Sequence, residues 1–239
     1  SYLVENNTIY HNGSGILNQY GASSSGNVYR NNTLYGNTNF NPSANSIVEN
    51  NKIYATTNIA ANTTVSGNTF TTVAISGTDT KFVNNTVAGT VTVKGNANSI
   101  VGNNITATGE YAIDLGTTTG NTVTDNYLVS ASYGGDAAVK YSNANNVVEN
   151  NSPKGYLAAD RFEDGLVMPV GSHVLLNATL TDDAGKAISG ATVVFLLNDT
   201  EYSAVTDAQG KAQFDLSGIA EGEYLVNYRF DGNNGYSKS

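Results

Sequence analysis

Tyr10, Tyr35 and Tyr54 are the side chains of this sequence best placed to hold a ligand. Each stands three residues after the asparagine of a recurring pattern, apolar-x-x-Asn-x-apolar, and directly after its second apolar residue. Side chains alternate across a strand, so an inward aliphatic residue sends the tyrosine that follows it outward. On consecutive coils of a stack the three rings would form an exposed stripe. An aromatic ring with a hydroxyl on its rim takes a sugar by stacking and hydrogen bonding. The plainer role is a ladder of rings that stiffens the surface or packs beneath a loop. Thr71, Ala88 and Thr106 occupy the same position later in the chain, which confines the stripe to the N-terminal half of the repeats.

Acid–base chemistry on a polysaccharide would need carboxylates on neighbouring coils, for Ca²⁺ or for proton transfer, with a basic residue nearby. The repeat region offers Glu5, Glu49, Asp79, Glu110, Asp114, Asp125, Asp136 and Glu149, with Arg30, Lys52, Lys81, Lys94 and Lys140, and His11 as its histidine. Glu5, Glu49 and Glu149 precede a pattern asparagine by two residues but fall on non-adjacent coils. Asp114 and Asp136 meet only if loops bring them together. No triad, carboxylate pair or metal-ligand spacing emerges, so no catalytic residue, metal site or cofactor is assigned. Further on, Asp182, Asp183, Asp207 and Asp231 lie in turns that could hold Ca²⁺, but none has EF-hand spacing and Asp-Gly turns form without metal. Lys186, Lys211 and Asn227 have the residue types of a Lys–Asn crosslink. Asn-x-Ser/Thr sequons fall at Asn6, Asn12, Asn31, Asn62, Asn84, Asn104, Asn150, Asn177 and Asn198, a weak sign of glycosylation in a chain rich in Asn and Thr.

The elements that must position these residues come from the pattern itself. It reads Val4–Asn7–Ile9, Tyr29–Asn32–Leu34, Val48–Asn51–Ile53, Val65–Asn68–Phe70, Phe82–Asn85–Val87, Ile100–Asn103–Ile105 and Val123–Asn126–Leu128, with a broken copy at Val148–Asn151–Pro153. The asparagines are 25, 19, 17, 17, 18, 23 and 25 residues apart. A period near twenty with short strands and no helical pattern predicts a solenoid. The asparagine is expected at the bend itself, where it tolerates left-handed backbone and forms an amide ladder with its neighbours. Ser43–Asn51 recurs as Asn96–Asn104 and loosely as Asn143–Asn151, which supports the register. Further short strands fit at Gly15–Leu17, Val73–Ile75, Val91–Val93 and Ala112–Leu115, and the longer coils carry polar insertions at Gly21–Gly26 and Ser130–Asp136.

Composition narrows the partners. The 239 residues carry a net charge of −9 with 13% charged residues, so no basic patch is available for nucleic acid. Cysteine is absent, which excludes a disulfide scaffold, and no apolar run reaches membrane-spanning length. The chain opens inside a repeat, and the expectation is therefore that it is a fragment of something longer.

The runs "ILNQYGASSSGNVYRNNTLYGN" and "YAIDLGTTTGNTVTDNYLVS" resemble the parallel β-helix repeats of carbohydrate-active proteins and large surface proteins. After Pro153 the period changes: Val174, Leu176, Ala178 and Leu180 alternate with other residues, and turn signals follow at Asp182–Gly185, Asp207–Gly210, Glu221-Gly222 and Asp231–Asn234. Between them lie "ATVVFLLN", "TEYSAVT", "KAQFDLS" and "EYLVNYRF", the strands of a β-sandwich. This stretch resembles the Ig-like repeats of prokaryotic surface proteins, and the whole layout is similar to the adhesin-like proteins of methanogenic archaea. The expectation is an all-β chain: a right-handed parallel β-helix over 1–153, then an Ig-like β-sandwich over 154–239. The resemblance implies an extracellular, cell-surface, non-catalytic monomer that attaches to glycans or proteins of another cell. The alternatives are a β-helix lyase or hydrolase and a ligand-free stalk.

Overall fold

The computed structural model describes residues 1–11, 16–17, 25–36, 39–160, 169–198, 200–218 and 220–238; of His11, Ile16 and Leu17 it describes the backbone. Most of the insertion at 21–26 and the sequon at Asn12 lie outside these residues. The chain divides into two compact units, Ser1–Ser152 and Pro153–Ser239. The first is a parallel β-solenoid and the second is antiparallel.

The first wall of the solenoid stacks eight strands: Leu3–Glu5, Val28–Arg30, Ile47–Glu49, Thr64–Ser66, Lys81–Val83, Ser99–Val101, Thr122–Thr124 and Val147–Glu149. The second wall follows each pattern asparagine, beginning with Thr8–His11, Thr33–Gly36, Lys52–Ile59 and Thr69–Ile75. A third wall holds Asn39–Phe40, Val91–Val93, Ile113–Gly116 and Val139–Tyr141. The long strands Lys52–Ile59 and Thr69–Ile75 serve both walls, and the register shifts between Phe70 and Thr72 where they bend. The two apolar residues of each of the seven complete pattern copies point inward. Val48, Ile53, Val65, Phe70, Phe82, Ile100, Ile105, Val123 and Leu128 are fully buried in one continuous core.

The corner between the first two walls corrects one expectation. The left-handed residue is the one before the pattern asparagine: Asn6, Asn31, Asn50, Gly67, Asn84, Gly102, Asp125 and Asn150 have φ between 54° and 68°. Asn, Asp and Gly are the residues that reach this region at little cost. The pattern asparagine itself turns inward and is buried from Asn32 to Asn151. Each one donates its backbone N–H and its side-chain Nδ2 to the Oδ1 of the next, from Asn7 to Asn151, at 2.8–3.2 Å. The second Nδ2 proton goes to a main-chain carbonyl of the preceding coil, as in Asn68 to Val48 and Asn103 to Phe82. Only an amide of this length supplies one acceptor and two donors there. The ladder ends on Asp136, whose Oδ1 accepts from Asn151 N at 3.0 Å and Nδ2 at 2.7 Å. A short 3₁₀ turn, Gly135–Ala138, carries Asp136 into that place.

A second buried polar row lies five residues before the first, at Asn27, Ser46, Thr63, Thr80, Asn98, Asn121 and Asn146, and from Thr80 onward it forms a ladder. Thr80, Asn98 and Asn121 donate their backbone N–H to the next asparagine Oδ1 at 2.9 Å. Its corner also uses left-handed residues: Gly26, Asn45, Asn62, Asp79, Ala97 and Gly120. Ala97 is the exception in type, since an L-residue with a Cβ and no local hydrogen bond is strained at φ 56°. Ala97→Gly should therefore stabilise the solenoid by about 1 kcal/mol, read as a raised urea midpoint. An unchanged or lowered midpoint would count against the strain.

The longer similarity between Ser43–Asn51 and Asn96–Asn104 turns out to be one residue out of structural register. It equates Val48 with Val101, but the buried equivalent of Val48 is Ile100, and Val101 shares the outward row of Glu49. A slip of one residue exchanges the two faces of a strand, so burial decides against the sequence match. The match of 43–51 with 143–151 is in register.

In the second unit two three-stranded antiparallel sheets share a core. One holds Tyr156–Ala159, Val174–Thr181 and Lys211–Leu216; the other holds Thr200–Val205, Thr192–Leu197 and Val226–Arg229. Leu176, Ala178 and Ala212 meet Val193 and Phe195 between them, and Phe214 packs on Tyr202 at 4.6 Å. The acidic turns are closed by the chain itself. Asp182 Oδ1 accepts from Ala184 N and Lys186 N, and Asp207 Oδ1 accepts from Gln209 N and Lys211 N, all at 2.8–2.9 Å. Lys186, Lys211 and Asn227 are all exposed; Lys211 and Asn227 belong to different sheets, and Lys186 lies in a turn.

Candidate functional site

The tyrosine stripe follows from the corner chemistry. The left-handed residue turns the chain, the ladder asparagine pins it, the next aliphatic residue enters the core, and the tyrosine after it faces out. Leu34 and Ile53 are buried at 2% and 0% exposure beside Tyr35 and Tyr54. Tyr10 and Tyr35 are paired in register on adjacent strands, as are Leu34 and Ile53. The rings stack on one another: Tyr10 and Tyr35 have centroids 4.9 Å apart and planes 10° apart, and Tyr35 and Tyr54 are at 5.1 Å and 13°.

That stacking changes what the stripe can do. Tyr10 is 74% exposed, Tyr35 37% and Tyr54 43%. The middle ring gives both faces to its neighbours, so neither of its faces is open to a sugar. What the stripe presents along its length is ring edges and a row of hydroxyls repeating at the coil spacing. Thr8, Thr33 and Lys52 form a parallel outward row two residues earlier on the same strands. The described strands of the second wall contain no Asp or Glu, in a chain of net charge −9. A ligand on this face meets hydroxyls and the Lys52 ammonium, and no carboxylate repels it.

The acidic residues gather elsewhere. Arg30 stands between Glu5 and Glu49 on the first wall, with Nε 2.7 Å from Glu5 Oε1 and Nη1 4.0 Å from Glu49 Oε1. Sequence reading separated the two glutamates correctly but missed that Arg30, also two residues before a ladder asparagine, links them. On the third wall Lys140 lies 3.7 Å from Asp114 Oδ2 and 5.9 Å from the ring centroid of Tyr111. Tyr111 stacks on Tyr133 at 4.9 Å, and its hydrogen bond with Tyr133 holds its phenol above the usual value of 10.0, helped by burial and by Glu110. A shallow groove lined by Thr92, Lys94, Asp114, Gly116 and Thr118 lies on the same wall. Asp136 does not join Asp114: it is the last acceptor of the asparagine ladder. Among the described residues no group of three or more His, Cys, Asp or Glu is arranged to hold a metal.

The sequons at Asn6, Asn31, Asn84 and Asn150 are accounted for by the same corner. Each is an exposed left-handed asparagine, followed by the ladder asparagine and then a Thr or Ser. No described helix is long and apolar enough to cross a membrane. Compared with family models, curated proteins and solved structures, the chain finds no match.

Proposed function

We propose that this chain is a non-catalytic attachment or display element of an extracellular, cell-surface protein, and that its solenoid contacts glycans through Tyr10, Tyr35 and Tyr54. The observation that carries the reading is the exposed, self-stacked tyrosine row on a wall free of carboxylates. A rigid wall holds such a row in place with little entropy to lose on binding. The second unit, with its two antiparallel sheets, fits an Ig-like spacer, and the order of the two units resembles that of adhesin-like surface proteins of methanogenic archaea. On this reading the chain acts as a monomer and takes no cofactor.

A second reading, a polysaccharide-cleaving enzyme, draws on Glu5, Arg30 and Glu49, which place two carboxylates and a cation side by side. Against it, the guanidinium is engaged with both carboxylates. A carboxyl that acts on a glycosidic bond must face the substrate, and the place between these two is taken by the guanidinium.

Tyr35→Ala tests the first reading. It removes the middle ring, leaves the outer two without a stacking partner and breaks the hydroxyl row. Glycan affinity should fall by about tenfold, equivalent to ~1.4 kcal/mol, with the urea midpoint little changed because the side chain is outward. Binding equal to that of the parent protein would sink the proposal.

A further inference from the structure

The spacing of the stripe selects a shape of ligand, an argument that rests on the proposed glycan contact. The three phenols sit on adjacent coils with ring centroids 4.9 and 5.1 Å apart, and the stacking covers both faces of the middle ring and one face of each outer ring, so no sugar lies flat on the row along its length. Thr8, Thr33 and Lys52 run alongside in register, two residues away on each strand and so roughly 7 Å across the wall. Each coil thus offers one pair of polar groups: Thr8 with Tyr10, Thr33 with Tyr35, and Lys52 with Tyr54. The pairs repeat without a break in direction or interval.

We infer that this double row binds a linear, extended β-1,4-linked glycan laid along the solenoid axis, one sugar residue to each coil. A β-1,4-linked pyranose chain is straight and advances per sugar by nearly the distance between stacked strands. Each ring carries its C2 and C3 substituents on one edge and its ring oxygen and C6 hydroxymethyl on the other, with the two edges exchanged from one sugar to the next, so every sugar turns polar atoms to the Thr or Lys on one side and to the Tyr on the other. An α-1,4-linked chain curves and falls out of step within three sugars. A sugar lying across the axis would reach one coil and leave the other pairs unused.

The test is direct titration of the intact chain with cello- and chito-oligosaccharides of one to six sugars. Malto-oligosaccharides of the same lengths serve as the curved control, and a broad glycan array is run in parallel. Affinity for the β-1,4 series should climb with each sugar to three and flatten beyond, while the malto series shows no such climb. Tyr35→Phe keeps the stack and removes only the middle hydroxyl. It should weaken the trisaccharide by about 2- to 10-fold, the range for one lost hydrogen bond, and weaken a monosaccharide, which can use either outer pair, by less. Binding on the array with no dependence on β-1,4 chain length, or with equal dependence in the malto series, would overturn the axial arrangement and leave glycan contact standing. No binding to any glycan would overturn both.

Discussion

Asn85→Ala is expected to destabilise the solenoid by about 3–5 kcal/mol, because it strips several buried groups at once. Asn85 Oδ1 accepts from Asn68 N at 2.9 Å and from Asn68 Nδ2 at 3.0 Å, and its own Nδ2 donates to Val65 O and Asn103 Oδ1 at 3.0 Å. All three asparagines are about 1% exposed. The alanine leaves the Asn68 backbone N–H without its acceptor, and takes one acceptor from Asn68 Nδ2 and one donor from the Val65 carbonyl, in a place water does not reach. An unsatisfied buried group costs about 1–3 kcal/mol, more than the net gain from making the bond. Asn7→Ala, at an exposed rung, should cost under about 1 kcal/mol. Urea denaturation of both variants checks the difference; equal shifts would show that the ladder does not hold the stack.

Gly95→Ala should cost about 3 kcal/mol or more through the backbone alone. Gly95 is buried at the corner after Val91–Val93, directly over Gly77 of the preceding coil. A Cβ there would overlap the Gly77 carbonyl oxygen, and a Cβ on Gly77 would overlap the main chain at Ala60 and Ala61. Neither obstacle is a side chain that can swing aside, so the coils must part and lose hydrogen bonds such as Lys94 N to Ile75 O. Gly109→Ala is the control, because its Cβ would meet only the Thr90 hydroxyl at 3.1 Å, a side-chain group that can yield at the cost of at most its hydrogen bond to the Tyr111 carbonyl. Its midpoint should move by less than about 1 kcal/mol. A Gly95 variant as stable as the Gly109 one would contradict the close contact.

How much of this could be read from the residues depends on whether a position demands one residue type or tolerates several. The ladder asparagines stand out because no other side chain supplies one acceptor and two donors at that reach, and the apolar residues flanking them, such as Val65 and Phe70, mark the core. The solenoid followed from them. The second row is not legible in the sequence because Asn27, Ser46 and Thr63 all fill it and differ in residue type. The left-handed position was assigned one residue late, although Asn, Gly and Asp fill it in every copy; its restriction to those types was the available signal. The match of Ser43–Asn51 with Asn96–Asn104 misled because identity ignores which face a residue occupies. Tyr10, Tyr35 and Tyr54 were placed outward by alternation alone. Their mutual stacking, which covers the faces a sugar would use, depends on rotamers and coil spacing that no sequence pattern states. Asp136 was unreadable for a like reason: it reaches Asn151 across fifteen residues through a turn with no repeat.

The account rests on the solenoid holding glycans without cutting them, and one measurement addresses that most directly. The intact chain is screened against a glycan array and insoluble polysaccharides, and every hit is then assayed for released reducing ends and unsaturated products. The account predicts retention of the bound polysaccharide with no product at any time point, and loss of that retention in Tyr35→Ala. Product release that disappears when Glu5 or Glu49 is replaced by Gln would contradict it and move the function to the first wall.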